Sequence, residues 1–226
     1  WIKPTTGMKG RWNKAERAGN ANPATADAVQ STPSLQWGFA ARGAIVEAGG
    51  PTFHYPLSEK NLVWADNAPK LYAQAVAAQW NPNTAIQWET KFTLDDDVEN
   101  AVVQVMTYLI ENENAALQVP AKFIASIHPH FREVLQLLAI QIADEARHVE
   151  VFTRRATLCG KPLGLSTVSG QQSLKTLLDE PDFALASFLL SVLGEGTFLN
   201  LLWFLEQFAP DPITRQIARL VVQDEA

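Results

Sequence analysis

Apolar residues recur at helical spacing in four long stretches of the chain, at residues 98–119, 130–158, 182–208 and 212–226. No strand-like alternation interrupts them, and four such helices predict a bundle. The first opens at Asp95-Asp96-Asp97, whose charge suits the positive end of a helix dipole and reads as a solvated cap. The third is apolar on every side. Between residues 183 and 208 only Glu195 and Glu206 carry charge, and no Lys or Arg lies between Lys175 and Arg215. That length would span a bilayer, but Glu195 would sit near its centre and no basic flanks would orient it. The expectation is a central helix buried on all sides.

Residues 1–95 have another texture, with more than half of the prolines, most of the tryptophans and the pair Gly49-Gly50. Two short helices are predicted here, one over 35–48 that the glycine pair stops, the other over 69–80. The remainder reads as ordered loop whose aromatics, among them Trp64, Trp80 and Trp88, pack onto the bundle. The organisation predicted is therefore a loop-rich segment at 1–95 followed by a helical domain at 96–226.

Composition narrows the function. The 226 residues are 47% hydrophobic and carry a net charge of −6, so the chain can fill a core but has no basic cluster for nucleic acid. The single cysteine, Cys159, excludes an internal disulfide framework and suits a cytoplasmic location. The chain opens on Trp1 rather than Met, from which a piece of a longer protein is expected.

Candidate chemistry lies where acidic residues break the apolar stripes. Helix two presents Phe131, Val134, Leu135, Leu138, Ile142, Val149 and Phe152, and Glu145 falls on this face. His148 projects one turn further along it. A lone Glu-x-x-His is a weak signal, but the oddity recurs. Glu113 interrupts the stripe of Val102, Val105, Met106, Leu109 and Ala116; Glu195 stands among leucines and phenylalanines; Glu225 shares a face with Ile217 and Val221. Unpaired carboxylates are costly to bury, so one on each helix implies a shared partner. Spacing agrees. Glu113 and Glu145 are equidistant from Pro129 within His128-Pro129-His130, and Glu195 and Glu225 from Pro210. Antiparallel pairs turning at these prolines would bring their glutamates level. Glu111 fits nearly as well, but its helical neighbours are more polar. Asp144-Glu145-Ala146 also returns 80 residues later as Asp224-Glu225-Ala226, suggesting two helix-pair repeats. Four carboxylates with histidine would balance two divalent ions, and such mixed oxygen and nitrogen donors suit iron or manganese. His128 and His130, at the turn, lie too far along the helix to join them.

These residues resemble the ferritin-like di-iron carboxylate superfamily over roughly residues 98–226. Glu113-Asn114-Ala115-Ala116 with Asp144-Glu145-Ala146-Arg147-His148 is similar to the hydroxylase subunits of bacterial multicomponent monooxygenases. Glu195-Gly196-Thr197-Phe198-Leu199-Asn200 resembles their Glu-x-x-Phe-Thr-Asn. The resemblance implies an all-α, ferritin-like four-helix bundle, with Glu113, Glu145, His148, Glu195 and Glu225 as metal ligands. Glu113, Glu195 and Asn200 would serve the reaction. Asp144 and Asp224 would each orient the histidine of the other repeat, and the second of those histidines is expected just beyond Ala226. Departures narrow the field. Phe152 stands where ribonucleotide reductases carry a radical tyrosine, Val221 where arylamine oxygenases add a histidine, and Leu199 where the monooxygenases have threonine.

The function expected is an O2-dependent oxygenase or oxidase. It would use two iron ions, or manganese or a mixed pair, on a small organic substrate, with electrons from a donor protein. No membrane or nucleic-acid partner is expected, and a homodimer is allowed. The competing readings are a ferroxidase or metal-binding protein without an organic substrate, and a helical partner that has lost the chemistry. An organic-sized apolar pocket beside the metals would favour the first reading, and a polar path for metal the second.

Overall fold

The computed structural model describes residues 27–225. The described residues form helices and no strand, apart from one parallel bridge between Leu57 and Ile127. Short helices α1 (Lys60–Val63), α2 (Ala68–Ala78) and α3 (Pro82–Ala85) precede two long ones, α4 (Asp96–Ile124) and α5 (Arg132–Thr157). There follow α6 (Val168–Asp179), α7 (Phe183–Ser187), a π-helical turn (Phe188–Gly194), α8 (Glu195–Phe208) and α9 (Pro212–Glu225).

Helix α4 begins with Asp96, Asp97 and Glu99 in its first turn and closes with Lys122 in its last, the polarity its dipole favours. It runs through Pro120, which cannot donate to the Ala116 carbonyl, and ends four residues later. A 3-10 turn at Pro129–Phe131 reverses the chain into α5. Two contacts fix the direction of this pair. Arg155, late in α5, binds Glu99 early in α4 at 2.7 Å, while His148 faces Glu113 at 3.7 Å. The helices are therefore antiparallel. Helix α9 is antiparallel to α5 as well, because Arg155 also binds Asp211 at 2.8 Å and His148 reaches Asp224 at 3.0 Å. Val102, Met106, Leu109, Phe152, Leu202 and Ile217 lie in one buried cluster between these helices.

Helix α2 forms where the 69–80 prediction placed it, with Pro69 in its first turn, and packs against α5. Trp80 lies over the Arg147 guanidinium at 4.6 Å, and Trp88 is buried under Arg154 at 4.0 Å. The helix expected over 35–48 does not form. Gly38 and Gly43 take φ of +44° and +85°, and the segment becomes a series of turns. Gly38 also lies so close to Phe53 that a Cβ there would meet the ring at 2.4 Å, so its backbone serves packing that a helix would prevent.

The third long helix also departs from expectation. Phe183–Phe208 is long and apolar enough to cross a membrane, yet only 17% of its apolar window is buried. Phe188, Val192, Trp203, Phe204 and Phe208 are exposed. It is not a central helix enclosed on all sides, because α4 and α9 cover only part of its circumference. This exposed apolar face is a weak hint of membrane association, and nothing structural supports the expected cytoplasmic location.

Candidate metal centre

Glu113 of α4, Glu145 and His148 of α5, and Glu225 of α9 offer ligand atoms that all lie within 4.8 Å of one another. Helical periodicity explains the convergence. Each residue falls on the apolar stripe of its helix, and packing the stripes together carries these polar groups inward. Glu113, Glu145 and His148 are each at most 2% exposed. Glu111 is not in the group.

The histidine organises the group. Its Nδ1 lies 3.1 Å from Glu225 Oε1, 3.2 Å from Glu145 Oε2 and 3.7 Å from Glu113 Oε2. Its Nε2 faces Asp224 Oδ2 at 3.0 Å. Asp224 also accepts from Trp80 Nε1 at 2.7 Å and Arg147 Nη2 at 2.8 Å. Burial pushes the Asp224 carboxyl up, but these three donors outweigh it and hold its pKa below the usual range. An ionised aspartate behind Nε2 leaves Nδ1 directed at the carboxylates, as a carboxylate behind a ligating imidazole does.

The carboxylates crowd one another. Burial pushes Glu145 up to about 8, against the hydrogen bond from His148 and with help from Glu113. Burial raises Glu225 too, with Glu145 close by. His148 is pushed down by burial, but Asp224, Glu113, Glu145 and Glu225 together raise it well above its ordinary value. Glu113 Oε1 is buried with no hydrogen-bond partner. An orphaned carboxylate oxygen, three converging glutamates and one imidazole are the donor set a divalent cation requires, so the residues fit a metal ion.

Glu195 stands beside the four rather than among them. Its Oε1 accepts from Gln141 Nε2 at 3.4 Å. Burial, then the charges of Glu225 and Glu145, push it up to about 8. The π turn ending at Gly194 sets its position, and such turns are frequent at functional sites.

The other predicted residues lie elsewhere. Asn200 is exposed and donates to the Gly196 carbonyl of its own helix at 3.2 Å, so the structure does not bring it to the cluster. Asp144 holds Gln79 and Arg147, each at 2.6 Å. The histidine expected beyond Ala226 lies outside the described residues. His128 caps the 3-10 turn through Nδ1, and His130 Nε2 accepts from the Gln30 amide at 2.9 Å. Sequence reasoning missed Gln79, Trp80, Gln141 and Arg147. Arg147 stood inside the Asp-Glu-Ala-Arg-His run and Trp80 among the aromatics expected to pack on the bundle, whereas nothing in the sequence marked Gln79 or Gln141.

Two cavities border the cluster. One, of about 660 Å³, has Glu113, Glu195 and Glu225 at one side and mostly apolar walls from Tyr108, Leu174, Leu177, Leu190, Phe198 and Leu201. The second, of about 480 Å³, lies between α2, α5, the π turn and α9. No known protein family matches this chain, and no curated protein or solved structure matches it either. The helical architecture and the buried glutamate and histidine cluster are loosely compatible with a ferritin-like di-iron fold.

Proposed function

We propose that the cluster holds a pair of iron or manganese ions and that the chain is an O2-dependent oxidoreductase for a small organic molecule. The 660 Å³ cavity carries this reading, because an organic-sized, largely apolar chamber opens directly onto Glu113, Glu195 and Glu225. Bound, the metal pair would supply the electron transfer to oxygen that no side chain here can perform. The chain's own part is to hold and shield. Glu113, Glu145, His148 and Glu225 would ligate, with Glu195 completing the second ion's oxygen donors. Four carboxylates against two divalent cations cancel the buried charge. Asp224 fixes the imidazole, and Ala115, Ala116 and Leu190 are the buried apolar part of the cavity wall that would shield the substrate from water. Electrons would come from a donor protein, and insertion of one oxygen atom would release the other as water. Asn200 has no catalytic role in this reading, since it faces solvent.

The second cavity, richer in carboxamide and acidic side chains, favours an alternative, a ferroxidase or metal-binding protein without an organic substrate. Metal analysis of the full chain, then anaerobic reduction and an oxygen pulse followed optically, tests both. About two ions per chain and an oxygen-dependent transient whose decay quickens with an apolar organic compound support the oxygenase. A transient indifferent to every such compound favours the ferroxidase. Folded protein that takes up no iron or manganese would sink both.

A further inference from the structure

The two cavities meet at Glu195 and Glu225, which line both, and their chemistry differs. The larger is walled mainly by carbon. The smaller has Gln74, Gln141 and Gln223 along its sides, and five carboxylates, those of Asp144, Glu145, Glu195, Asp224 and Glu225. Among the described residues, no Lys, Arg or His lines it. Arg147 pairs with Asp144 and Asp224, and all five acidic side chains offer oxygen donors to the cavity. Both donors to Asp144, Gln79 and Arg147, occupy its Oδ1, so its other oxygen is left to the cavity. Its inner end reaches the ligand group at Glu145 and Glu225, while Glu113 lines the larger cavity.

We propose that the smaller cavity is the loading route for a hydrated divalent cation, and that the larger one does not conduct it. The inference rests on the cluster binding metal. A divalent ion sheds its water reluctantly, and only oxygen donors along the way can replace that shell. Gln74, Gln141 and Gln223 with the acidic side chains supply such donors in the smaller cavity, whereas the larger one has fewer, with Leu174, Leu177 and Phe198 forming much of its wall. The division also accounts for the coexistence of a polar and an apolar opening on one cluster, since an ion and an organic molecule need opposite surroundings.

The test is the rate at which the metal-free full chain takes up Co2+, followed by its visible absorption after rapid mixing at about 0.15 M salt, where charges beyond roughly 8 Å are screened. Gln74 is exposed, so charge changes there leave the fold intact. Gln74→Lys should slow uptake several-fold and Gln74→Glu should quicken it, with the final stoichiometry unchanged. Ala75→Trp, which fills the same cavity, should slow it tenfold or more. Asn112→Lys, on the apolar cavity, should leave the rate within twofold. Uptake that is indifferent to both Gln74 changes, or slowed as much by Asn112→Lys as by Gln74→Lys, would overturn the route. A wild-type chain that binds no Co2+, Fe2+ or Mn2+ at all would instead overturn the metal reading beneath it.

Discussion

Removing a ligand should make the metal-free protein more stable. Glu145 is 2% exposed, and burial, helped by Glu113 and opposed by His148, pushes its pKa up to about 8 from an ordinary 4.5. Between these values the folded chain keeps a proton that the unfolded chain has released. Without metal, the contribution of Glu145 to stability therefore falls as pH rises from about 4.5 to about 8. Each pKa unit is worth about 1.4 kcal/mol, which bounds the penalty at pH 7 near 3 kcal/mol. Glu145→Gln keeps the shape and needs no proton, so it should stabilise the chelator-treated protein by on the order of 1–3 kcal/mol at pH 7 and by almost nothing at pH 4.5.

Urea denaturation in the presence of chelator, at several pH values between 4.5 and 8, reads this difference directly. Repeating it with saturating Mn2+ should reverse the order, because the wild type gains binding free energy that the variant has lost. A variant that is less stable than wild type in chelator at pH 7 would refute the account. So would a difference that shrinks as pH rises. Either result would mean that Glu145 is held by a permanent protein partner and is not waiting for a cation.

Other sites give independent expectations. Arg155 is fully buried between Glu99 and Asp211. Arg155→Ala should cost about 3–5 kcal/mol in denaturation, and adding Glu99→Gln should recover part of the loss. His130 is held near a pKa of 4, first by burial and then by the charge of Arg42, and its Nε2 is occupied by the Gln30 amide. The unfolded chain binds this proton first, so stability should fall as pH drops from about 6.5 to about 4, by up to about 3 kcal/mol. His130→Gln should flatten that part of the profile. Glu195→Ala should abolish oxygen-dependent turnover and lower the metal content while the circular dichroism stays helical. Full metal content and turnover in that variant would make Glu195 a structural carboxylate.

The sequence was most readable where geometry is local. Helical period and the turn at Pro129 bring Glu113 and Glu145 level, because equal distances from a turn mean equal height in an antiparallel pair. Glu225 is tied to them by the repeat of Asp144-Glu145-Ala146 as Asp224-Glu225-Ala226. His148 follows from its one-turn offset. Glu195 obeys the same spacing yet stands to one side, since the π turn at Phe188–Gly194 changes the rotation of the helix just before it. Gly194 and Gly196 flank that residue, but glycine alone does not announce a π turn. The 35–48 segment failed for a tertiary reason, the approach of Phe53 to Gly38. The 183–208 helix was hardest to read because it has no polar face. An amphipathic stripe states which side is covered, whereas a uniformly apolar surface is equally consistent with enclosure, lipid or another protein. The two glutamates in that helix now have different explanations. Glu206 pairs with Arg219 across the turn to α9 at 2.9 Å, while Glu195 has a long carboxamide contact with Gln141 and the Ser191 hydroxyl nearby, which do not offset its burial and the charges of Glu225 and Glu145. A surface charge paired with its neighbour describes structure; an inward-facing carboxylate crowded by like charges points to a ligand that brings the opposite sign.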